Sequence, residues 1–426
     1  MLELSVIREQ TERVIEGLKR KNFSDEDLAI VDQILGLDDT RKATQTRLDS
    51  TLAERNRLSK EVGDLYKQGK KAEGDQLKDR IAELKDEAAA LENALAQAKD
   101  ELEQLLYRVP NIPHQSVPAG RTPEDNEVYK AWNGELPKLG SDAQPHWELA
   151  RRYNLFDLEL GVKLTGAGFP VYRGKGARLE RALISFFLDE ATKAGYEEIM
   201  PPLMVNEDTA RATGQLPDKE GQMYYVERDN LYLIPTAEVP VTNVYRDVIL
   251  EESDFPIKMT GYTPCFRREA GSYGAHVRGL NRVHQFDKVE IVQIQHPDRS
   301  YEALDEMLKH VEGLLVKLEL PFRILRLCGG DMSFTSALTF DFEVFSAAQE
   351  RWLEVSSVSN FETFQANRLK LRYRDGAKGT RLAHTLNGSA LALARIVAAL
   401  LENNQTPDGI VIPEVLRPYT GFDLIS

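Results

Sequence analysis

The sequence predicts an α+β protein in which an N-terminal, antiparallel two-helix coiled-coil arm precedes a larger domain with an antiparallel sheet flanked by helices. Three observations support this prediction. Residues 27–107 contain no proline and show a heptad pattern of apolar residues. Residues 108–145 are rich in proline. In the residues that follow, several segments show the period-two pattern of side chains that is typical of β-strands. We therefore expect a helical arm at 1–110, a proline-rich linker at 111–145 and the sheet domain at 146–426. The proline-rich stretch is either a linker or an irregular connection that follows the surface.

The composition is that of a globular protein without membrane segments. At 426 residues the chain can form two or three domains, and its 42% hydrophobic and 29% charged residues exclude wholesale disorder. No apolar run approaches about 18 residues, so no transmembrane helix is expected. The first residues mix acids and bases and lack the apolar core of a signal peptide, which predicts a cytoplasmic protein. Cys265 and Cys328 are too few for a disulfide framework and lack zinc-ligand spacing, so no zinc is expected.

The arm is predicted from the spacing of its apolar residues. In its second half they follow alternating intervals of four and three residues over about four heptads: Leu77, Ile81, Leu84, Ala88, Leu91, Leu95, Ala98, Leu102 and Leu105. A rougher seam precedes them: Leu48, Leu52, Leu58, Val62 and Leu65. Gly69 lies between the two seams and is the expected break. Two helices of roughly 50 Å each are therefore expected to form a hairpin.

The tip of this hairpin is locally basic. Residues 55–71 contain six basic and two acidic residues, a local charge of +4 on a chain whose net charge is −14. The acidic net charge argues against a general nucleic-acid binder, but a basic tip suits contact with a polyanion. The alternative is an ordinary solvated coiled coil that acts as a spacer or a dimerisation device.

The sheet domain is predicted from period-two patterns. The segment 287–295 is apolar on both faces, and 338–345 alternates apolar with polar residues. An amphipathic helix is expected at 177–194. Because several strands follow each other without a helix between each pair, an antiparallel or mixed sheet is favoured over a doubly wound one.

Glycine-rich phosphate loops are absent from the sequence, so arginines would have to hold any nucleotide phosphates. If 262–269 is a strand, Arg267 and Glu269 project from the same face. A glycine-rich turn and a returning strand would then present the set Arg267, Glu269, Arg278, Arg282 and Glu290 to a ligand that is part phosphate and part base or amine. The alternative is a surface salt-bridge ladder, although the apolar neighbours of Glu290 argue for burial.

Three smaller segments suit the same ligand. In an apolar helix predicted from residue 389 to 403, Arg395 is the single charge before Leu401 and needs an anionic partner, either a phosphate or a structural carboxylate. Thr236 and Glu238 share a face if extended and suit an ammonium group. Glu354 lies between apolar residues and suits a metal-bridged phosphate. Taken alone, each of the last two segments is more typical of a structural role than of a functional one.

Together these segments resemble the bacterial-type seryl-tRNA synthetases, a family of class II aminoacyl-tRNA synthetases. The resemblance covers essentially the whole chain. Besides the arm, it rests on five motifs: T-A-E at 236–238, F-R-x-E…R-G-L-x-R-x-H-Q-F at 266–286, K-V-E at 288–290, E-V-S-S at 354–357 and T-L-N-G-S at 385–389.

The resemblance implies ATP-dependent attachment of L-serine to its tRNA through a seryl-adenylate, with Mg²⁺ bound together with ATP. The arm would bind the serine tRNA, and selenocysteine tRNA is a further candidate acceptor. A class II sheet of six to seven antiparallel strands is implied. So is a homodimer, whose dimer-forming motif corresponds to 195–202.

The resemblance also implies roles for individual residues. The catalytic residues would be Arg267, Glu269 and Arg395. Serine would be bound by Thr236, Ala237, Glu238, Arg267, Glu290, Thr385, Asn387 and Ser389. ATP would be bound by Arg267, Arg268, Glu269, Arg282, Val283, Phe286, Glu354, Val355, Ser356, Ser357 and Arg395. Glu354 and Ser357 would hold Mg²⁺. The tRNA contacts would be Arg55, Lys60, Lys67, Lys70 and Lys71.

Two other functions are compatible with the same fold. A non-catalytic, synthetase-like binding paralogue is expected to lose the motif arginines or the amino-acid-binding carboxylates, and this chain retains both. A related ligase that charges a carrier protein is expected to lack the long arm.

Overall fold

The computed structural model describes residues 1–218, 221–269, 277–376 and 379–426. Within these ranges the chain forms two compact units. The arm unit comprises Leu2–Lys19 and Phe23–Pro110, and the sheet unit comprises Met1, Arg20–Asn22 and Asn111–Ser426. None of the helices in the described ranges is both long and apolar enough to cross a membrane.

The arm unit is built from helices. They are α1 (Leu4–Glu9), α2 (Thr11–Arg20), α3 (Asp25–Lys67) and α4 (Lys71–Tyr107). Residues 68–70 join α3 to α4, and Gly69 turns the chain with a φ of +79°. The predicted hairpin and its break are therefore confirmed. With 43 and 37 residues, α3 and α4 extend for about 65 and about 56 Å, longer than expected.

The seam between α3 and α4 follows the predicted heptads. On α4, Leu84, Leu95 and Leu102 are buried, and on α3 so are Leu48 and Leu58. Most polar residues between them are exposed or half-buried, although Thr51 is buried, so the long helices are stabilised by this apolar stripe rather than by propensity alone.

A buried carboxylate near the other end of α3 joins α1 to α3. Asp38 is fully buried, and its carboxylate forms ion pairs with Arg8 and Arg41 at 2.7 Å and with Lys42 at 2.9 Å. Burial opposes ionisation, but the hydrogen bonds from Lys42, Arg41 and Arg8 together outweigh it and lower the pKa of Asp38 to about 2.

The sheet unit mixes helices with strands. Its helices are α5 (His146–Tyr153), α6 (Leu158–Leu164), α7 (Gly174–Lys193), α8 (Glu207–Thr213), α9 (Glu238–Asn243), α10 (Ser300–Lys317), α11 (Thr363–Leu369), α12 (Leu393–Asn403) and α13 (Arg417–Thr420). Its strands are β1 (Glu127–Lys130), β2 (Phe156–Asp157), β3 (Val171–Tyr172), β4 (Glu197–Glu198), β5 (Met204–Val205), β6 (Tyr225–Val226), β7 (Leu231–Leu233), β8 (Ile249–Glu251), β9 (Ile257–Phe266), β10 (Gln285–Gln295), β11 (Phe322–Arg326), β12 (Leu338–Ser346), β13 (Arg351–Glu362), β14 (Arg372–Arg374), β15 (Thr380–Leu382), β16 (His384–Ala392), β17 (Gln405–Thr406), β18 (Gly409–Val411) and β19 (Leu424–Ile425).

The main sheet has the order β1-β11-β12-β13-β16-β10-β9-β4, which is eight strands in the described residues. Neighbouring strands are antiparallel except β4, which runs parallel to β9. The predicted antiparallel sheet is confirmed. The expected number of six to seven strands was too low because short strands, β1 and β4, extend both edges.

Residues 111–145 belong to the sheet unit, and the first of them are packed against it. Asn111 and Ile112 are buried, and the amide of Asn111 donates to the carbonyls of Thr335 and Phe361 at 2.9 and 2.8 Å. Further along, β1 pairs with β11 at the edge of the sheet. The prolines therefore mark an irregular, packed connection.

The two faces of the main sheet differ in chemistry. The apolar core lies between one face and the helices α7, α10 and α12, and Val289 and Ile291 of β10 point into it. Since side chains alternate along a strand, Lys288 and Glu290 of β10 point to the opposite face. The polar residues of the central strands therefore meet on that second face.

Candidate active site

A cavity of about 540 Å³ lies on the polar face of the sheet. Its wall includes most of the residues that the sequence predicted: Thr236, Glu238, Arg267, Glu269, Arg282, Val283, Phe286, Glu290, Glu354, Val355, Ser356, Ser357, Asn387, Ser389 and Arg395. Among the described residues, the wall does not include Ala237, Arg268 or Thr385. Residues 270–276 of the predicted glycine-rich turn lie outside the described ranges.

One end of the cavity contains a buried cluster around Glu290. Glu290 is 1% exposed, as its apolar neighbours predict. Its Oε2 lies 2.6 Å from Lys288 Nζ and accepts a hydrogen bond of 3.1 Å from the Thr236 hydroxyl. Its Oε1 is buried and has no hydrogen-bond partner among the described residues. An acceptor of this kind is normally satisfied by an ordered water or by a donor of a bound molecule.

Lys288 is a cavity residue that sequence reasoning missed. Its side chain is 7% exposed, and Nζ also donates to Thr236 Oγ1 at 2.9 Å. The K-V-E motif contained the signal, because residues 288 and 290 lie on the same face of a strand. The cluster thus combines a cation, a carboxylate and a hydroxyl.

Glu238 forms the second carboxylate at this end. The expected extended segment was wrong here, because Glu238 begins helix α9 and Thr236 lies in the turn before it. Burial, reinforced by the charge of Glu290, raises the pKa of Glu238 to about 7. Gln365 donates to Glu238 Oε1 at 2.6 Å and favours its ionised form.

Thr385 lies behind this pocket. Asn387 and Ser389 pair with Val292 and Glu290 of β10, and Thr385 pairs with Ile294, so all three residues of β16 share the cavity face. At Thr385 that face is covered by Gln365 of α11. The Thr385 hydroxyl donates to Gln365 Oε1 at 2.7 Å.

Arg267 is a cationic residue of the cavity wall. The predicted strand at 262–269 ends at Phe266, so Arg267 follows β9 directly. Its guanidinium lies over the ring of Phe286, 5.3 Å from the centroid, and its Nε donates to the carbonyl of Pro235 at 3.4 Å. This leaves a flat, cationic surface beside an aromatic ring, which suits both a phosphate and a base.

Glu269 and Arg282 line the cavity and form an ion pair with each other. Glu269 has a φ of +48°, and Gln222 holds its backbone N–H at 3.1 Å. Arg278, which the predicted hairpin also included, pairs with Glu148 at 3.4 Å and is not part of the described cavity wall.

Arg395 projects from the start of α12. The predicted helix from residue 389 was wrong in its first residues, because β16 continues to Ala392. Arg395 Nε donates to the carbonyl of Asn281 at 2.8 Å, and Nη1 donates to the carbonyl of Glu354 at 2.7 Å. Nη1 also lies 3.6 Å from the Glu354 carboxylate, so a structural carboxylate partner is present. The side chain is still 27% exposed and lies on the cavity wall.

Asp341 and Glu354 also line the cavity, and their carboxylates suit a cation. Asp341 pairs across the sheet with Ser357, and both line the cavity with Glu354. Burial and the charge of Glu354 raise the pKa of Asp341 well above its usual range. Asp341 Oδ1 has no hydrogen-bond partner within the described part of the chain. A divalent cation held by one or two carboxylates and by substrate phosphates would satisfy this wall.

A buried hydrogen-bond network supports one wall. His146 Nδ1 donates to Glu402 at 2.6 Å, and His146 Nε2 accepts from the Leu280 N–H at 2.8 Å. Gln349 donates to Glu402 at 2.9 Å and accepts from the Asn281 amide at 2.8 Å. The network thereby fixes two wall residues, Leu280 and Asn281. Sequence reasoning missed it because its members are far apart in the chain.

Comparison with known proteins yields consistent matches over the whole chain. Residues 1–113 match the family model of the seryl-tRNA synthetase N-terminal domain, and residues 224–404 match that of the tRNA synthetase class II core domain (G, H, P, S and T). A serine–tRNA ligase of Salinibacter ruber is 53% identical over 428 residues, which cover 100% of this chain and 99% of that protein. One of Chlorobaculum parvum is 49% identical, with 100% of both chains covered. The crystal structure of seryl-tRNA synthetase from Pyrococcus horikoshii complexed with ATP superposes with a TM-score of 0.92 at 34% identity, over 100% of this chain and 99% of that one.

Proposed function

The chain belongs to the seryl-tRNA synthetase family and is a ligase that attaches serine to tRNA in an ATP-dependent reaction, and we propose that serine and ATP bind and react in the cavity on the polar face of its sheet. The serine carboxylate would attack the α-phosphorus of ATP, releasing pyrophosphate and forming seryl-adenylate. A hydroxyl of the terminal ribose of the tRNA would then attack the carbonyl carbon of the seryl group, forming the ester and releasing AMP. A non-catalytic paralogue is not favoured, since the motif arginines and carboxylates line one cavity.

The observation that supports serine binding most directly is the buried Oε1 of Glu290, which has no hydrogen-bond partner in the described structure. A serine hydroxyl or ammonium group would supply the missing donor. Glu238, the second carboxylate of this pocket, would accept from the amino group. The charges of Lys288 and Arg267 both favour the ionised form of Glu238, which suits the ammonium group of a bound amino acid.

The opposite end of the cavity suits ATP. Arg267 would bridge the α-phosphate and the serine carboxylate, and Phe286 beside it would stack on the adenine. Arg282 would exchange its ion pair with Glu269 for the outer phosphates, which frees Glu269 to accept from the adenine amino group. Arg395 would contact the same phosphates, because part of its side chain is exposed to the cavity.

Mg²⁺ fits the wall formed by Glu354, Ser357 and Asp341, where Asp341 Oδ1 is an orphaned acceptor among the described residues. When bound, the ion would neutralise charge on the ATP phosphates. This chain's own contribution is to orient the serine carboxylate and the α-phosphate and to place cationic groups around them. Phosphoryl-centre chemistry of this kind depends on positioning and charge stabilisation, so no dedicated nucleophile or general base is needed.

The arm unit is the proposed tRNA-binding region. Four of its predicted contacts are exposed in the helical hairpin: Lys60, Lys67, Lys70 and Lys71. Arg55 is half-buried. Basic side chains at the tip of the arm of an acidic protein would attract the phosphate backbone locally.

A homodimer in the cytoplasm is part of the same proposal. The expected dimer motif at 195–202 includes the short edge strand β4 and Met200, which is 89% exposed. A large exposed apolar side chain beside a strand edge is typical of a subunit interface. Sedimentation equilibrium of the full chain should give twice the monomer mass of 48.1 kDa, and a monomer would refute this part.

ATP–pyrophosphate exchange tests the proposed chemistry without tRNA. With Mg²⁺ present, serine alone among the twenty amino acids should drive exchange. Replacement of Glu290 by alanine should abolish it, while replacement of the buried Gln293, which lies outside the cavity wall in the described structure, should not. Absence of exchange with every amino acid would overturn the proposal. Exchange driven by another amino acid would retain the ATP site and refute the serine pocket.

A further inference from the structure

Gln365 on α11 joins Glu238 to the buried Thr385. Its side-chain amide nitrogen donates to Glu238 Oε1 at 2.6 Å and to the backbone carbonyl of Thr213 at 3.2 Å. Its amide oxygen accepts from the Thr385 hydroxyl at 2.7 Å. Gln365 is 1% exposed and Thr385 is fully buried, so water cannot replace these contacts.

The orientation of the Gln365 amide follows from the chemistry of its partners. An ionised carboxylate and a carbonyl can only accept, so both amide N–H groups must point toward Glu238 and Thr213. The amide oxygen then faces Thr385, whose hydroxyl is able to donate. A flipped amide would place its oxygen against two acceptors, so Glu238 and Thr213 fix the orientation, and the Thr385 hydroxyl supplies the donor that the amide oxygen then needs.

The surroundings of Glu238 make this donor valuable. Burial and the neighbouring charge of Glu290 both favour the neutral acid, whereas Lys288, Arg267 and the hydrogen bond from Gln365 favour the carboxylate. These charged groups come from β10 and from the residue after β9. Gln365 is the one neutral group of this set, and it contacts Glu238 directly from α11.

We propose that Gln365, whose amide oxygen is held by the Thr385 hydroxyl, is a positioning residue that holds Glu238 ionised and aimed at the amino group of serine. This inference rests on the proposed function, in which Glu238 binds that amino group. It also gives Thr385 a role different from the expected direct serine contact. Neither Gln365 nor Thr385 touches the substrate.

Two variants of Thr385 test the orientation step. Thr385→Val keeps the shape of the side chain but removes the hydroxyl donor, and Thr385→Ser keeps the donor. In serine-dependent ATP–pyrophosphate exchange, Thr385→Val should raise the KM for serine by about 10-fold, and Thr385→Ser should restore most of that loss. The KM for ATP should stay within about twofold in both, because the ATP contacts lie elsewhere.

A leucine at position 365 tests the donor itself. Gln365→Leu should raise the KM for serine by about 10- to 100-fold, since a hydrogen bond to a charged group is removed. In the unsubstituted chain, the KM for serine should rise as the pH falls below about 7, where Glu238 becomes protonated. Without the Gln365 donor the Glu238 carboxylate is less stabilised. The pH at which the KM for serine begins to rise, here called the bend, should therefore move to a higher value. Gln293→Leu is the matched control, because it also removes a buried amide but should leave the bend in place.

The outcomes separate this proposal from the proposed function. If the unsubstituted chain shows no serine-dependent exchange, the serine site itself is refuted. If it does, and Thr385→Val retains the original KM and pH profile, the positioning role is refuted while the serine site stands. If Gln365→Leu and Gln293→Leu raise the KM for serine equally, and neither shifts the bend, Gln365 would likewise have a merely structural role.

Discussion

Replacement of Lys288 by methionine should strongly destabilise the sheet unit. Methionine matches the length of the lysine side chain and removes its charge. Lys288 Nζ lies 2.6 Å from Glu290 Oε2 and 2.9 Å from Thr236 Oγ1, and the Lys288 and Glu290 side chains are 7% and 1% exposed. Glu290 would therefore remain buried and charged with the Thr236 hydroxyl as its remaining donor in the described structure.

The expected magnitude follows from the cost of an unpaired buried charge. Removing one partner of a buried ion pair costs about 3–5 kcal/mol of unfolding free energy, because the other charge is left uncompensated. Glu290→Gln should cost less, since an amide is neutral and can still donate or accept. The double variant Lys288→Met with Glu290→Gln should be more stable than Lys288→Met alone, because no charge then remains buried.

Denaturant unfolding followed by tryptophan fluorescence measures this effect in the right place. All three tryptophans, Trp132, Trp147 and Trp352, lie in the sheet unit, so fluorescence reports its unfolding and not that of the arm. A loss below about 1 kcal/mol in Lys288→Met, or a double variant that loses the sum of both single losses, would refute the reasoning. The first result would mean that Glu290 is protonated or solvated in the native state.

Three further predictions concern the arm and the serine pocket. Asp38→Asn should lower the unfolding free energy of the arm by about 2 kcal/mol at pH 7, as followed by far-UV circular dichroism. Because the native pKa of Asp38, about 2, lies below its unfolded value of 3.8, the carboxylate stabilises the arm above about pH 4, and this stabilisation disappears as the pH falls through 2. An equal loss of unfolding free energy at pH 2 would contradict this prediction. Four lysine-to-glutamine changes at the tip, at Lys60, Lys67, Lys70 and Lys71, should raise the KM for tRNA and flatten its salt dependence by about 0.9 in log–log slope for each phosphate that is no longer neutralised, whereas equal changes at the exposed Lys85 and Lys99 of α4 should do neither. Alanine should support pyrophosphate exchange on the order of 10⁴-fold less efficiently than serine, because it leaves Oε1 of Glu290 without a hydrogen-bond donor; comparable efficiencies would place the serine hydroxyl elsewhere.

The features that the sequence predicted well are those set by local periodicity. The heptad seam of α4 needed nothing beyond the spacing of its leucines, and the strand around Glu290 needed only the apolar run of β10. Both patterns repeat over many residues, so a single irregular position does not disturb them. Predictions that depended on a few residues failed more often, as with the strand expected to continue through Glu269 and the helix expected to begin at Ser389.

The contacts that determine the chemistry of the pocket were not predictable in the same way. Gln365 reaches Glu238 from 127 positions away in the chain, and His146 reaches Glu402 from 256 positions away. Such contacts depend on how helices dock on the sheet, and no local pattern encodes docking. Lys288 is an intermediate case, because its face of β10 could be predicted but its partners could not.

Thr385 shows why a correct face is not yet a correct site. Its register with β10 places it on the same side of the sheet as Ser389, as strand alternation requires. Whether a residue on that face meets the substrate depends on what covers it, and here Gln365 of α11 covers Thr385. Periodicity fixes the direction of a side chain, whereas the position of α11 decides its depth. A sequence can therefore identify the residues around a pocket without giving the depth of each, and for Thr385 that depth distinguishes the expected serine contact from the positioning role that we propose.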